Sequence, residues 1–186
     1  MRFPMPDLNN LSSEQQALVD RIVSGPRGGL RGPFLALLHH PPLAMRVQAV
    51  GEHLRYSASI DQSLIELVIL TTARRWNCQY EWFAHSRIAY TSTDLADEVI
   101  ESVRAGRRPE TATAEQKLAY DMAMSLHSSG VLPDDMFESC QRMFGVQGVL
   151  DLICTCGYYT TIAMVLNVAQ IPLPEDAPEQ YLLDRP

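Results

Sequence analysis

The sequence predicts an all-α fold of roughly eight or nine helices, and three observations predict it. Apolar residues recur at helical spacing, as at Leu64, Leu67 and Val68. Helix-starting signatures recur along the chain: Ser12 with Gln15, Pro42, Asp61, and Thr113 with Gln116. No run alternates apolar and polar residues between turn signals, so no strand is expected.

Each element has a local reason. Ser12-Ser13-Glu14-Gln15 resembles a capping box and opens a helix to about Ser24. Residues 25–33 are a loop rich in glycine and arginine. A short apolar helix runs from Pro33 to about His40, where the C-terminal dipole suits an imidazolium. Pro41-Pro42 stops it and starts the next helix, to about Tyr56. Asp61 or Ser59 caps a helix to about Trp76. Asn77 breaks it, and a further helix runs to about Tyr90. Thr93 is read as the cap of an amphipathic helix ending near Gly106. Thr113, with Gln116 three positions on, caps one ending at Gly130. Pro133 starts a short helix that stops at Gly145. A long apolar helix then spans about Val146 to Gln170, followed by a proline-rich tail. The last helix is apolar on most of its circumference (Val149, Leu150, Ile153, Cys154, Tyr158, Ile162, Ala163, Val165, Leu166, Val168). A helix of that kind is buried all round, so a neighbouring subunit is expected to help cover it.

The bulk composition narrows the function classes. Hydrophobic residues make up 46% and charged residues 20% of 186, which fits one globular domain spanning 1–186. Net charge is −7 and the basic residues are scattered, so nucleic acid is not an expected partner. No apolar run reaches the roughly 18 residues of a membrane span, and the N-terminus lacks a signal-peptide stretch. The expected location is therefore the cytoplasm. Cys78, Cys140, Cys154 and Cys156 lack metal-ligand spacing, so reduced thiols and no metal are expected. The loop at 25–33 lacks the ending of a phosphate-binding loop, and no cofactor is expected.

The chemistry concentrates in Asn77-Cys78-Gln79-Tyr80-Glu81-Trp82-Phe83-Ala84-His85. Cys78, Glu81 and His85 stand at i, i+3 and i+7, on one stripe of a helix. Cys78, early in its helix, gains from the positive end of the dipole, which favours a thiolate. Glu81 beside it opposes that thiolate. Glu81 and His85 are i, i+4 neighbours, close enough for a carboxylate to orient an imidazole. Glu66, set among Leu64, Ile65, Leu67 and Val68, needs a partner or a raised pKa, and a helical hairpin turns it toward the stripe. The alternative is structural: a small core cysteine and an ordinary Glu–His pair. His53 and His127 stand alone, and Tyr158-Tyr159 read as packing residues.

Glu66 followed by Cys78-Gln79-Tyr80-Glu81-Trp82-Phe83-Ala84-His85 resembles the core motif of the carboxymuconolactone decarboxylase and alkylhydroperoxidase D superfamily. Gly157-Tyr158-Tyr159-Thr160, Leu166-Asn167 and Pro172-Leu173-Pro174 resemble the ending of a longer-chain branch. The resemblance implies an all-α bundle assembled as a homo-oligomer (dimer, trimer or hexamer), a small-molecule substrate, and Glu66, Cys78, Glu81 and His85 as catalytic residues. In the peroxidase branch the second thiol of a Cys-x-x-Cys pair attacks peroxide. Here Glu81 stands at that position, so the motif disulfide cannot form. The leading expectation is a decarboxylase-like lyase working by proton transfer on an acidic or lactone-type substrate. Arg27, Arg31 or Arg74-Arg75 are candidates to hold its carboxylate. The alternatives are a peroxidase-like oxidoreductase using Cys78 as a single reactive thiol, and a non-catalytic ligand-binding or assembly protein.

Overall fold

The computed structural model describes residues 1–175 and 177, and the end of the proline-rich tail lies outside them. Eight helices and no strand are present among the described residues: α1 (Ser13–Ser24), α2 (Pro33–Leu37), α3 (Pro41–Tyr56), α4 (Gln62–Arg75), α5 (Gln79–Ser92), α6 (Asp97–Arg104), α7 (Ala114–Ser129) and α8 (Asp134–Ala169). The all-α reading holds.

The centre of the bundle is α4. Every residue from Ser63 to Arg74 is buried, under α5, α6, α7 and α8. The cause is the run Leu64-Ile65-Glu66-Leu67-Val68-Ile69-Leu70, which presents apolar side chains all round. Each of these large side chains contributes about 1.5–3 kcal/mol when fully buried. Thr71 and Thr72 hide their hydroxyls by donating to the Leu67 and Val68 carbonyls, each at 2.8 Å. Asp61 caps the helix through Ser63 N–H at 2.7 Å.

A tight reversal joins α4 to α5. Asn77 adopts a left-handed conformation (φ 47°). The Cys78 N–H donates to the Ala73 carbonyl at 2.9 Å. This turn folds α5 back along α4, so residues 19 apart in sequence meet across the hairpin. From α8, Thr160 accepts a hydrogen bond from the Trp76 indole at 3.0 Å, and Asn167 donates to the Trp76 carbonyl at 3.0 Å. Both ties fix α8 to the hairpin turn.

The capping boxes form at Ser12–Gln15 and Thr113–Gln116. Gly145 sits at φ 65°, a conformation that suits glycine, and interrupts α8 where a helix boundary was expected. Two local readings are corrected. Thr93 does not cap α6; its hydroxyl closes α5 by donating to the Ala89 carbonyl, and Ala96 precedes the first turn of α6. His40 caps a helix, but at the opposite pole: its ring nitrogen accepts from Leu43 N–H at the start of α3. That role uses a ring lone pair, which an imidazolium lacks.

The last helix is not buried all round within one chain. Val149, Leu152, Cys156, Tyr159, Ile162, Ala163 and Leu166 face the core, whereas Val146, Leu150, Ile153, Met164 and Val168 are exposed. By length and composition α8 is apolar enough to cross a membrane, against the expectation from the sequence, yet half of its most apolar stretch is packed inside the bundle.

Candidate active site

The α4–α5 hairpin sets Glu66 against His85. The Glu66 Oε2 to His85 Nδ1 distance is 2.7 Å, with the Glu66 side chain wholly buried and that of His85 nearly so. The Gln62 side-chain amide donates to the other Glu66 oxygen at 3.0 Å. Glu66 thereby holds the imidazole with its Nδ1 committed, leaving Nε2 for chemistry. Tyr159 packs edge-on against the ring, with centroids 5.0 Å apart and planes at 88°. Glu66 thus reaches the motif helix.

His85 and Glu81 line a cavity of about 620 Å³ between α2, α3, α5 and α8. Glu81 is buried, and neither of its carboxyl oxygens has a hydrogen-bond partner among the described residues. Burial disfavours the charged form and pushes its carboxyl well above the usual range. Glu81 and His85 lie one helical turn apart.

Cys78 departs from the expected stripe. It is the residue before α5, with extended backbone (φ −86°, ψ 97°), so its side chain leaves the helical register of Glu81 and His85. The thiol is fully buried in an apolar cluster with Leu18, Ile22, Ile162 and Leu166, and does not line the cavity. Burial pushes its pKa far up, so the thiolate expected from the helix dipole is disfavoured. Cys140 and Cys156 sit in a different cluster, and Cys154 is exposed. All four thiols are free.

Of the arginines named from sequence, Arg27 and Arg31 line the cavity, whereas Arg74 and Arg75 line a smaller one of about 260 Å³ beside Gly106 and Tyr120. Sequence reasoning missed Arg55 and Arg87, which also line the main cavity, and took Tyr158-Tyr159 for packing residues although both line it. Arg55 closes α3 and Tyr158 comes from α8, and no spacing rule connects such distant positions. Of the remaining histidines, His127 contacts the Thr72 hydroxyl at 2.9 Å and His53 lies 3.5 Å from Asp151. Among the described residues no group of three or more His, Cys, Asp or Glu is arranged to hold a metal ion.

No protein-family model matches the chain, and no curated protein sequence matches it. Solved structures do. An uncharacterized peroxidase-related protein from Ralstonia eutropha, with an alkylhydroperoxidase AhpD core, superposes with a TM-score of 0.78 at 16% identity, over 94% of this chain and 93% of its own. A protein of unknown function from Agrobacterium tumefaciens, a putative antioxidant defence protein AhpD, superposes with a TM-score of 0.68 at 15% identity, over 78% of this chain and 100% of its own. With its helical hairpin and these superpositions, the chain has the alkylhydroperoxidase AhpD-like fold.

Proposed function

We propose that this protein is an acid–base enzyme of the carboxymuconolactone decarboxylase type, acting on a small acidic or lactone-type substrate. One observation carries the reading: His85, held by Glu66 at 2.7 Å, stands on a cavity wall that it shares with Glu81, a buried acid without a hydrogen-bond partner among the described residues. In the reaction the carbon–carboxylate bond breaks and carbon dioxide leaves. The electron pair passes into the unsaturated lactone system. Glu81 delivers a proton to the carbon alpha to the lactone carbonyl, where that pair ends, and His85, oriented by Glu66, returns one to Glu81 from solvent. Arginines around the cavity favour bound carboxylate. The test is carried out in deuterium oxide with a panel of lactone carboxylic acids. One deuteron should enter the product at the carbon alpha to the lactone carbonyl, where the displaced electron pair ends, and His85→Gln should lose about 10²-fold or more of the rate. Full activity in His85→Gln would remove the reading.

The names of the structural neighbours favour a second reading, a peroxidase with Cys78 as its single thiol. It requires buried Cys78 to be reached by peroxide. Sub-stoichiometric peroxide should then convert Cys78 to sulfenic acid before the other three cysteines.

We also propose that the exposed face of α8 packs on a second copy. It carries no charged residue from Val146 to Val168, and it is symmetric about Gly157: Ile153 and Thr161 lie 4 residues to either side, Leu150 and Met164 lie 7, and Val146 and Val168 lie 11. A two-fold axis through Gly157 pairs like with like. The strip is about 33 Å long. Leu150→Glu should halve the mass measured by light scattering while leaving the helical circular dichroism intact. An unchanged mass would remove this contact.

A further inference from the structure

The main cavity holds two guanidinium groups that meet no acid among the described residues. Arg27 comes from the loop after α1 and Arg55 from the end of α3. The Nε–H of each is buried and lacks a hydrogen-bond partner. Neither takes part in an ion pair among the described residues, although Arg21, Arg104, Arg108 and Arg142 all do. A buried donor left unpaired is costly, so an oriented unpaired Nε–H marks a position where an acceptor belongs.

Both groups are held by aromatic rings. Arg27 stacks over Phe34 at 5.1 Å and Arg55 over Tyr56 at 5.0 Å. Stacking fixes the guanidinium plane and leaves its edge for a planar acceptor. Arg27 also donates to the Tyr158 hydroxyl at 3.5 Å, and its backbone carbonyl accepts from Arg31 at 2.7 Å. Arg27, Arg55 and Tyr158 line the same cavity. Glu81 and His85 line it as well.

Gly51 makes the arrangement possible. A Cβ there would stand 2.1 Å from the Tyr158 hydroxyl and 2.5 Å from an Arg27 terminal nitrogen. Any larger residue on that turn of α3 would drive the pair apart. Phe34, Tyr80, Phe83 and Tyr159 also line the cavity, together with Arg31 and Arg87. That lining suits a flat, apolar body.

We propose that Arg27 and Arg55 form a carboxylate clamp and that the ligand is a small cyclic or aromatic carboxylate, its anionic end on the arginines and its ring against the tyrosines. The clamp rests on the acid–base reading for its purpose but is tested by binding alone. Isothermal titration calorimetry on the full chain compares benzoate with benzamide, which has the same shape and no charge. Benzoate should bind at least about tenfold more tightly than benzamide, and Arg27→Gln or Arg55→Gln should each remove at least about tenfold of its affinity. Arg55→Lys should restore only part, because an ammonium lacks the planar fork. Equal binding of the two ligands, no benzoate binding, or unchanged affinity in both arginine variants would overturn the proposal. Should the variants fail to fold, benzoate should slow phenylglyoxal modification of Arg27 and Arg55 in the unaltered protein and leave exposed Arg107 unprotected; equal protection of Arg107 would also overturn it. Benzoate bound by the clamp while His85→Gln keeps full turnover would refute the proton-transfer reading and leave the clamp standing. Turnover lost in His85→Gln without benzoate discrimination would do the reverse.

Discussion

Replacing Glu81 by Gln keeps the shape of the side chain and removes its titration. Both carboxyl oxygens are buried without partners among the described residues, and burial raises the folded-state pKa well above the ordinary 4.5. The sign follows from linkage. Below 4.5 the group is protonated in both folded and unfolded chains and has no pH-dependent effect. As pH rises from there toward the raised folded value, the unfolded chain releases a proton that the folded chain keeps. Stability therefore falls by about 1.4 kcal/mol per pH unit from this group alone. The wild type should therefore lose stability relative to Glu81→Gln as pH rises from 5 toward 7. A buried amide with unmet hydrogen bonds adds an offset to the variant, but the offset does not change with pH. Urea unfolding of both proteins at the two pH values reads the difference directly. A gap between them that stays constant within about 0.5 kcal/mol would refute the claim that Glu81 is held as a neutral acid. It would also remove the proton donor from the proposed reaction.

Other substitutions separate the parts of the site. Glu66→Gln keeps a side-chain partner for His85 but removes its charge; turnover of a lactone acid should fall about 10²-fold with little change in KM, measured by steady-state kinetics. Cys78→Ala should cost about 1 kcal/mol of stability by denaturant titration and leave turnover near wild type, since the thiol packs against Ile22 and Leu166 away from the cavity. Gly51→Ala should weaken benzoate binding at least about tenfold by calorimetry, because the added methyl group meets Tyr158 and Arg27.

Much of this architecture is legible along the chain because its causes are local. The Ser12–Gln15 and Thr113–Gln116 boxes announce two helix starts, and the apolar run of α4 announces the centre of the bundle. The Glu66–His85 contact is legible as soon as Asn77 is read as a break, since a short reversal brings the two helices side by side. Cys78 misleads because helical spacing assumes helical backbone, and at that residue the helix has not begun. Thr93 misleads in a related way: a threonine hydroxyl can close one helix as well as open the next, and only tertiary packing decides. Arg55, Tyr158 and Gly51 are invisible as a group because α3 and α8 meet through packing rather than sequence proximity.

The central claim is that proton transfer at His85, and not thiol chemistry at Cys78, is what this cavity performs. Parallel assays of wild type, His85→Gln and Cys78→Ala test it most directly, measuring carbon dioxide release from lactone carboxylic acids beside consumption of tert-butyl hydroperoxide with a dithiol reductant. The account predicts carbon dioxide release that His85→Gln loses and Cys78→Ala retains, with no peroxide consumption above background. Peroxide consumption that disappears in Cys78→Ala, with no carbon dioxide release from any acid of the panel, would contradict it.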